Sequence, residues 1–576
     1  MFKLFLVFTL AYAYATTCFS ETLEDKSSTR HAKKKKRRTK NVPLRPKDLP
    51  PDTIFSDWNE DSDYTIELEN GGILNVSHGS IQQNGNTTHR THFHVLHSVV
   101  QEEEAVKIIA LLNGDLEEQS KSRGKSHTTT VPLDNDPDTV DGMATHEIFI
   151  DNIELRNGKP SKGLNSIGHS KKDINKMELR APLRRQIRLI TDPILNERIT
   201  PFVRKIYPKQ CGIEKGEERQ CTPCYSLLRR YVDDERTSHA IHHDGHAIVT
   251  VVVSLSVRGR DYNGGLFVAT KQAQRQFVGL TRGDAVAHTS DLYHGVKVLP
   301  ATGRKEEEWE TNEDGISYPL AELGRMERWS WILWYRDSIT CDDYGYEWFD
   351  DCAHEGNPTC ELLHATKITL TPNMPPQDFG ERVLYWNQQA SEHGHGGASI
   401  KIARAYLKLL PSSLQYNISA AKELYSLAIE SSNHPDAHYG LADLLIHSKS
   451  RGKSLRKAVK HLERAAKGGH AFAAFNLGLA HLYGYGMPRG RKNPDVAGEW
   501  FEHCGLPEGM WAKAIHSRSI GREKEATAFE KRAKVMGFGA PWRREARSKT
   551  GSGGAAGVEL NLNWPRLSSG EKPEPW

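Results

Sequence analysis

The feature that most constrains this fold is a 38-residue periodicity that begins after residue 340. At this interval a large apolar residue recurs, followed four positions later by a small one. The pairs are Trp348 and Cys352, Trp386 and Ala390, Leu424 and Ala428, Leu462 and Ala466, and Trp500 and Cys504. Because residues i and i+4 share one face of an α-helix, each pair predicts a packed helical face. A period of this length with helix-sized halves is typical of an α-solenoid of helical hairpins.

A second series of small residues predicts where the other helix of each hairpin packs closely. The series is Cys360, Ala398, Ala437, Ala474 and Ala512. The segments Ala473–Gly486 and Ala497–Phe501 strongly resemble a Sel1-like repeat, a relative of the tetratricopeptide repeat. We predict about five such units over residues 341–540. We expect the concave face of the array to bind a substrate peptide or a partner protein. The alternative is that the array only buttresses the preceding domain.

A candidate metal site lies upstream, in an H-x-D pattern and a remote histidine. Residues i and i+2 of a β-strand point to the same side, so His242 and Asp244 can reach one metal while His243 points away. His294 completes the set. Two imidazoles and one carboxylate on one face of an octahedral ion form the facial triad of non-haem Fe(II) oxygenases. A chain with 27 histidines also produces H-x-D by chance, so the flanking sequence has to support the assignment.

The flanking sequence predicts many short strands joined by turns. Ala247–Leu255 is a β-branched apolar run typical of a buried strand. Tyr262–Gly265 predicts a turn before the short strand Leu266–Val268, and Arg282–Asp284 predicts another before Ala285–His288. This succession indicates a double-stranded β-helix, that is, a jelly-roll or cupin-like domain. The predicted fold class is therefore multidomain α+β, with this domain followed by the α-solenoid.

The last strand of the predicted domain, Arg328–Arg336, alternates in polarity and opens on an arginine. A planar guanidinium that faces inward suits bidentate binding of a carboxylate. With these motifs, residues 91–338 resemble the catalytic domain of the 2-oxoglutarate- and Fe(II)-dependent dioxygenases, in particular the prolyl 4-hydroxylase-like branch. The strand at Phe93–Leu96 and the helix at Gln101–Leu112 fit this resemblance.

The resemblance implies a set of iron ligands, namely His242, Asp244 and His294. It also implies Fe(II), 2-oxoglutarate, O₂ and ascorbate as cofactors or cosubstrates. The expected reaction couples decarboxylation of 2-oxoglutarate to succinate with hydroxylation of a substrate C–H bond. We interpret the nearby His239, His243 and His246 as supporting or surface groups, because a fourth protein ligand would fill a position that the cosubstrate needs.

The resemblance further implies that Arg328 binds the distal carboxylate of 2-oxoglutarate and that Tyr231 contacts this cosubstrate. A core tyrosine with a bonded hydroxyl is an equal alternative for Tyr231. In the family the basic residue usually follows the second histidine closely, and Arg304 stands there in this chain. We prefer Arg328, because Ser330 and an aromatic strand accompany it, whereas Arg304 opens a charged stretch that is typical of an inserted loop.

The chain begins with a basic residue and an apolar run that predict a signal peptide over residues 1–20. We expect residues 21–90 to form a basic, low-complexity and largely disordered arm, and residues 541–576 to form a disordered tail. The dense basic run at 30–40 could be a nuclear address or a nucleic-acid patch, but after a signal peptide an arm or a processing site is the better interpretation. With a net charge of only +4, we expect no nucleic-acid partner, and no segment is long enough to predict a membrane span.

Seven cysteines remain after removal of the predicted signal peptide. An oxidising lumen favours disulfides within the clusters 211–224 and 341–360, although the sequence does not give the pairing. Cys221 and Cys224 also match a redox or zinc half-site, but a structural bridge is favoured because no second C-x-x-C is present. Glycan acceptor sequons, which agree with entry into the secretory pathway, lie at Asn75, Asn86 and Asn417.

The sequence thus predicts an iron- and 2-oxoglutarate-dependent dioxygenase of the endoplasmic reticulum lumen or the secreted fraction. The prolyl choice, with a proline-rich peptide as substrate, rests on family analogy, and the alternatives are lysyl residues or a small molecule. The alternative is a secretory-pathway scaffold in which the repeats carry the function by binding partners and the oxygenase domain is dormant.

Overall fold

The computed structural model describes residues 45–46, 55–58, 62–83, 90–122, 145–152, 181–211, 221–232, 236–245, 247–269, 275–301, 326–336, 347–370, 376–410, 412–447, 451–536 and 538. All of them belong to one structural unit, Pro43–Trp576. This unit contains an N-terminal, mainly antiparallel β-sheet region followed by an α-helical solenoid.

The strands of the described part of the chain form two sheets. Their bounds are β1 Phe55–Asp57, β2 Ser62–Glu67, β3 Ile73–Ile81, β4 Thr91–His97, β5 Glu147–Asn152, β6 Thr222–Val232, β7 Ser238–His242, β8 Val249–Ser254, β9 Asn263–Ala269, β10 Arg275–Phe277, β11 Ala285–Thr289, β12 His294–Leu299 and β13 Glu327–Arg336. The smaller sheet has the order β1-β10-β9-β12-β7, and the larger sheet has the order β2-β3-β4-β11-β8-β13-β6-β5. The pairs are antiparallel except β1 with β10.

The two sheets face each other across an apolar core. Leu266 and Val268 of β9 in the smaller sheet share one cluster with Val252 of β8 and Ile332 of β13 in the larger sheet. The run at β8 is buried along its whole length, since alternate side chains enter this core and a second core on the other face. Helices cover that second face of the larger sheet.

The helices that cover the larger sheet are α1 Glu102–Ser122, α2 Ala181–Ile194 and α3 Thr200–Ile206, with a π-helical turn at Leu195–Ile199 between the last two. Ile187 of α2 and Phe202 of α3 pack in one core with Val251 of β8. The predicted strand at 93–96 and helix at 101–112 are confirmed by β4 and α1.

Two expectations are corrected by the strands. The arm predicted to be largely disordered over residues 21–90 contains β1, β2 and β3. Leu74 and Val76 of β3 are buried, because this alternating strand lies between β2 and β4 in the larger sheet. The turn predicted at 262–265 is also wrong, because β9 begins at Asn263. Gly264 has a φ of +72°, and a Cβ there would lie 2.4 Å from the carbonyl O of Lys297, so glycine lets β12 approach closely.

The solenoid consists of the helices α4 Glu347–His354, α5 Pro358–Leu370, α6 Pro376–Glu392, α7 Gly396–Tyr406, α8 Ile418–Ser432, α9 Pro435–Ile446, α10 Arg451–Lys467, α11 Ala471–Tyr483, α12 Pro494–His503, α13 Pro507–Ser519 and α14 Glu523–Val535, with a 3₁₀ turn at Pro488–Gly490. The large apolar residues of the 38-residue period lie in alternate helices from α4 to α12. The second series of small residues lies in the intervening helices and is buried. The predicted helical hairpins are therefore confirmed over this range.

Two disulfides lie within the predicted clusters, whereas the bond of Cys224 does not, because the other two cysteines of its cluster are bonded to each other. Cys211 is bonded to Cys221, and Cys352 is bonded to Cys360. Cys224 is also disulfide-bonded, and Cys504 is free and buried in the solenoid. Residues 1–20, the basic run 30–40, Arg304, Cys341 and the tail 541–576 lie outside the described residues. None of the described helices combines the length and apolar character that crossing a bilayer requires.

Candidate metal centre

Three potential metal ligands come together at the edge of the smaller sheet. His242 is the last residue of β7 and pairs in register with His294, the first residue of β12. Asp244 lies two residues beyond β7, in the loop that leads to β8. The Nε2 atoms of His242 and His294 lie 3.3 and 3.6 Å from the Asp244 carboxylate. The three ligand atoms lie within 4.8 Å of one another, the only such group of His, Cys, Asp or Glu in the described part of the chain.

Backbone carbonyl groups orient the two imidazoles. His242 Nδ1 donates to the carbonyl O of Ala240 at 2.8 Å, and His294 Nδ1 donates to that of Leu292 at 3.0 Å. A carbonyl oxygen only accepts, so Nδ1 carries the hydrogen in both rings. The Nε2 atom of each ring is therefore the one that presents a lone pair for a metal.

The carboxylate of Asp244 links the two sheets. Asp244 is 3% exposed, and Thr250 of β8 donates its hydroxyl hydrogen to Asp244 Oδ2 at 2.7 Å. Because β8 belongs to the larger sheet, the metal ligands lie between the sheets. Burial lowers the pKa of His294 well below its usual value, and the nearby His288 lowers it further. The neutral form of His294 is the one that binds a metal.

Arg328 offers a second binding group. It is 1% exposed and pairs in register with Tyr231 of β6. Its Nη1 donates to Ser330 Oγ at 3.4 Å, whereas Nε and Nη2 are buried and have no hydrogen-bond partner among the described residues. Leaving buried charged donors without acceptors is costly. Because Nε and Nη2 lie on the same side of the guanidinium, they fit a carboxylate that binds in a bidentate manner.

The position of Arg328 relative to the metal ligands follows from the strand register. A Cβ built on Gly265 would lie 3.8 Å from Arg328 Nε and 3.1 Å from the Tyr262 ring, so glycine keeps this space open. Gly265 pairs with Lys297 of β12. Lys297 is three residues beyond His294, which corresponds to roughly 10 Å along an extended strand.

Further histidines surround the ligands without joining them. The ring of His239 lies 4.2 Å from that of His242, and the ring of His288 lies 4.5 Å from that of His294. The group of possible ligands contains neither of these two, nor His243. His288 is fully buried, and its Nε2 has no hydrogen-bond partner among the described residues. The predicted supporting residue His246 lies outside the described residues.

The first repeats contact the loop that carries the ligands. The ring of His243 stacks on Tyr293 with centroids 4.7 Å apart and lies 6.2 Å from the ring of His395, which caps α7. A Cβ built on Gly245 would lie 3.6 Å from Leu363 of α5. The solenoid therefore packs beside the metal centre.

Three residues of the site were missed by sequence reasoning. They are Thr250, Tyr262 and His288. The sequence signal for Thr250 was a hydroxyl within an apolar strand. The signal for Tyr262 was a tyrosine shortly before two glycines. The sequence also placed both residues of H-x-D on one strand, whereas only His242 belongs to β7.

The comparisons with known proteins identify the repeats. The Sel1 repeat family model matches residues 398–433, 435–470 and 471–502. Each match joins the second helix of one hairpin to the first helix of the next. Residues 398–502 are Sel1 repeats, which confirms the prediction for this part of the array. No curated protein matches the sequence.

Similar solved structures cover parts of the chain. A Sel1 repeat protein from Oxalobacter formigenes is 21% identical, with a TM-score of 0.30, over 36% of this chain and 60% of its own. This chain thus spans less than two thirds of that protein. An oxidoreductase of the 2OG-Fe(II) oxygenase family from Burkholderia pseudomallei is 16% identical, with a TM-score of 0.19, over 37% of this chain and 76% of its own. The non-heme alpha ketoglutarate dependent epimerase SnoN from nogalamycin biosynthesis is 13% identical, with a TM-score of 0.22, over 44% of this chain and 84% of its own.

Proposed function

We propose that the β-sheet region is a jelly-roll oxygenase domain that uses Fe(II) and 2-oxoglutarate. The observation that carries this proposal is the combination of the His242, Asp244 and His294 ligand set with the two unpartnered, buried nitrogens of Arg328. A ligand set of two imidazoles and one carboxylate is typical of non-haem iron. A metal site alone would not require a buried guanidinium whose Nε and Nη2 have no hydrogen-bond partner among the described residues.

The residues present fit both groups. His242, Asp244 and His294 would hold the metal, and Arg328 would hold the far carboxylate of the keto acid. When bound, an iron and 2-oxoglutarate pair supplies the activation of O₂ and the oxidation of a C–H bond. The chain orients the ligands through the bonds to His242, His294 and Asp244. The buried setting of Asp244 and His294 keeps water away from the reacting atoms.

We propose a peptidyl residue, with proline the first choice, as the group that is hydroxylated. Sel1 repeats beside the metal centre support a peptide substrate, because helical solenoids hold extended peptides or partner proteins. The two described disulfides support a place in the secretory pathway, either the endoplasmic reticulum lumen or outside the cell. Ascorbate would then serve as the reductant that keeps the metal in its ferrous form.

The test is succinate formation from 2-oxoglutarate by the full chain with Fe(II) and ascorbate. It is run with and without proline-rich peptides, and beside a His294→Ala variant. Turnover that a peptide stimulates and that the variant loses supports the proposal. A folded protein that takes up no metal and forms no succinate contradicts it and favours a Sel1 scaffold with a dormant oxygenase domain.

A further inference from the structure

Three histidines lie together on the outer face of the larger sheet. His92 and His94 are two residues apart in β4, so their side chains point to the same side. His78 of β3 pairs in register with His94. Phe93, between the two histidines of β4, points the other way, into the core between the sheets. Because the ligands of the candidate metal centre lie between the sheets, these three residues, which we call the outer histidine cluster, form a separate group.

The rings of the outer histidine cluster are close to one another. His78 Nε2 and His92 Nδ1 lie 3.0 Å apart, and the two rings stack with centroids 5.1 Å apart. The centroid of the His94 ring lies 5.3 Å from that of His78. Two nitrogen atoms that bind one tetrahedral zinc ion at about 2.0–2.1 Å lie roughly 3.3 Å from each other. His78 and His92 therefore already have nearly the spacing of two ligands of one ion.

The hydrogen bonds of Tyr207, the residue after α3, fix the tautomer of His94. The Tyr207 hydroxyl donates its hydrogen to the carbonyl O of Ala287 at 2.9 Å. The Tyr207 oxygen therefore accepts from His94 Nδ1, which lies 2.9 Å away. Burial, followed by the charges of His78 and His92, lowers the pKa of His94 to about 4. The ring is thus neutral near pH 7, and its Nε2 presents a lone pair.

This environment of His94 is typical of a metal-binding imidazole. Such a ring usually donates its other nitrogen's hydrogen to a fixed acceptor, as His94 does to Tyr207. No residue in the described part of the chain forms a hydrogen bond with His94 Nε2. His92 is exposed, and His78 and His94 are half-buried, so an ion can reach the rings from solvent. Imidazole nitrogens suit zinc, copper and nickel, whereas magnesium and calcium prefer oxygen ligands.

We propose that the outer histidine cluster binds a zinc ion through His78, His92 and the Nε2 atom of His94, with water in the fourth position. Small rotations of the exposed His92 ring and of the His78 ring bring their nitrogens to the ion, while Tyr207 holds His94. The ion replaces the hydrogen that His78 and His92 share and joins β3 to β4. This site does not depend on the proposed iron centre or on oxygenase activity.

The experiment measures Zn(II) binding to the full chain by equilibrium dialysis. Every protein carries His294→Gln, which weakens the candidate iron centre, so that the remaining zinc reports on the outer histidine cluster. We expect one zinc ion per chain. Adding His92→Gln weakens this binding by at least about 100-fold, and adding Tyr207→Phe, which removes only the outer partner of His94, weakens it by about tenfold. His97→Gln is the matched control, because His97 also lies in β4 but bonds to Ser77 on the opposite face. It leaves zinc affinity within about threefold.

Thermal unfolding gives a second measurement. Zinc raises the unfolding midpoint of the His294→Gln protein and not of the variant that also carries His92→Gln, because an ion that binds only the folded chain stabilises it. His92 is exposed, so its replacement leaves the core intact. The proposal is overturned if the His294→Gln protein binds no zinc. It is equally overturned if zinc binding survives both His92→Gln and His94→Gln.

Discussion

The guanidinium carbon of Arg328 lies 5.6 Å from the centroid of the Tyr262 ring. The Tyr262 hydroxyl donates to the carbonyl O of Leu280 at 2.9 Å, so the ring is fixed. The centroid of the Tyr231 ring lies 5.8 Å from the same guanidinium carbon. Two aromatic faces thus hold the cation in place, while Nε and Nη2 stay without protein partners among the described residues. Such an arrangement is preorganised to receive a carboxylate.

Replacing Arg328 is expected to affect 2-oxoglutarate and not the metal. Arg328→Gln removes a charged, bidentate donor, so the affinity for 2-oxoglutarate falls by about 10- to 100-fold. Calorimetric titration of the Mn(II)-loaded protein measures this change. Arg304→Gln is the matched control, because Arg304 is the other candidate for this role. Loss of affinity in Arg304→Gln with none in Arg328→Gln would reverse the assignment.

The rings of His288 in β11 and His294 in β12 lie 4.5 Å apart, but replacing the two residues is expected to change metal binding to different extents. His294→Gln removes a ligand and lowers Mn(II) affinity by at least about 100-fold, more than the loss of an outer partner. His288→Gln leaves Mn(II) affinity within about threefold, because its ring is outside the ligand group. Equilibrium dialysis of both variants gives the comparison. An equal loss in the two would mean that His288 is itself a ligand.

Acid is expected to destabilise the solenoid through His395. Burial, followed by the charges of His434 and Lys401, lowers the pKa of His395 to about 3. Between its unfolded value of about 6.5 and this folded value, only the unfolded chain binds the proton, so stability falls as pH falls. At pH 5 the loss from this one group is about 2 kcal/mol.

The control for this pH effect is His395→Asn, because asparagine keeps an acceptor for the backbone N–H of Ala398 at the start of α7. Urea unfolding at pH 7 and pH 5 should show a smaller acid-dependent loss in this variant. Identical losses in the two proteins would contradict the assignment to His395.

Two helical glycines are expected to respond in opposite directions to alanine. A Cβ on Gly440 of α9 would lie 2.4 Å from the Tyr425 ring, so Gly440→Ala overpacks the hairpin and costs about 1–3 kcal/mol. A Cβ on Gly380 of α6 would meet nothing within 4 Å. Gly380→Ala therefore stabilises by about 0.5–1 kcal/mol through helix propensity. Thermal unfolding of the two variants tests the pair, and a stable Gly440→Ala would show that the helices separate easily.

The sequence by itself determined the repeats and the chemistry of the ligand set. The 38-residue period repeats a local pattern of large and small residues, and each copy forms its hairpin from neighbouring residues. The residue types and spacing of His242, Asp244 and His294, together with the flanking strand pattern, likewise predict a metal-binding combination before any fold is known. The prediction of a largely disordered arm over residues 21–90 shows the limit of this reasoning, because β3 lies in this range and is held by its pairing with β2 and β4.

Only the tertiary structure decided which distant residues surround the ligands. Arg328 of the larger sheet reaches Gly265 of the smaller sheet because the two sheets pack against each other. The ring of His395 lies 6.2 Å from that of His243 because the repeats dock onto the β-sheet region. Such contacts join segments far apart in the chain, and their formation depends on register and packing that no local pattern encodes.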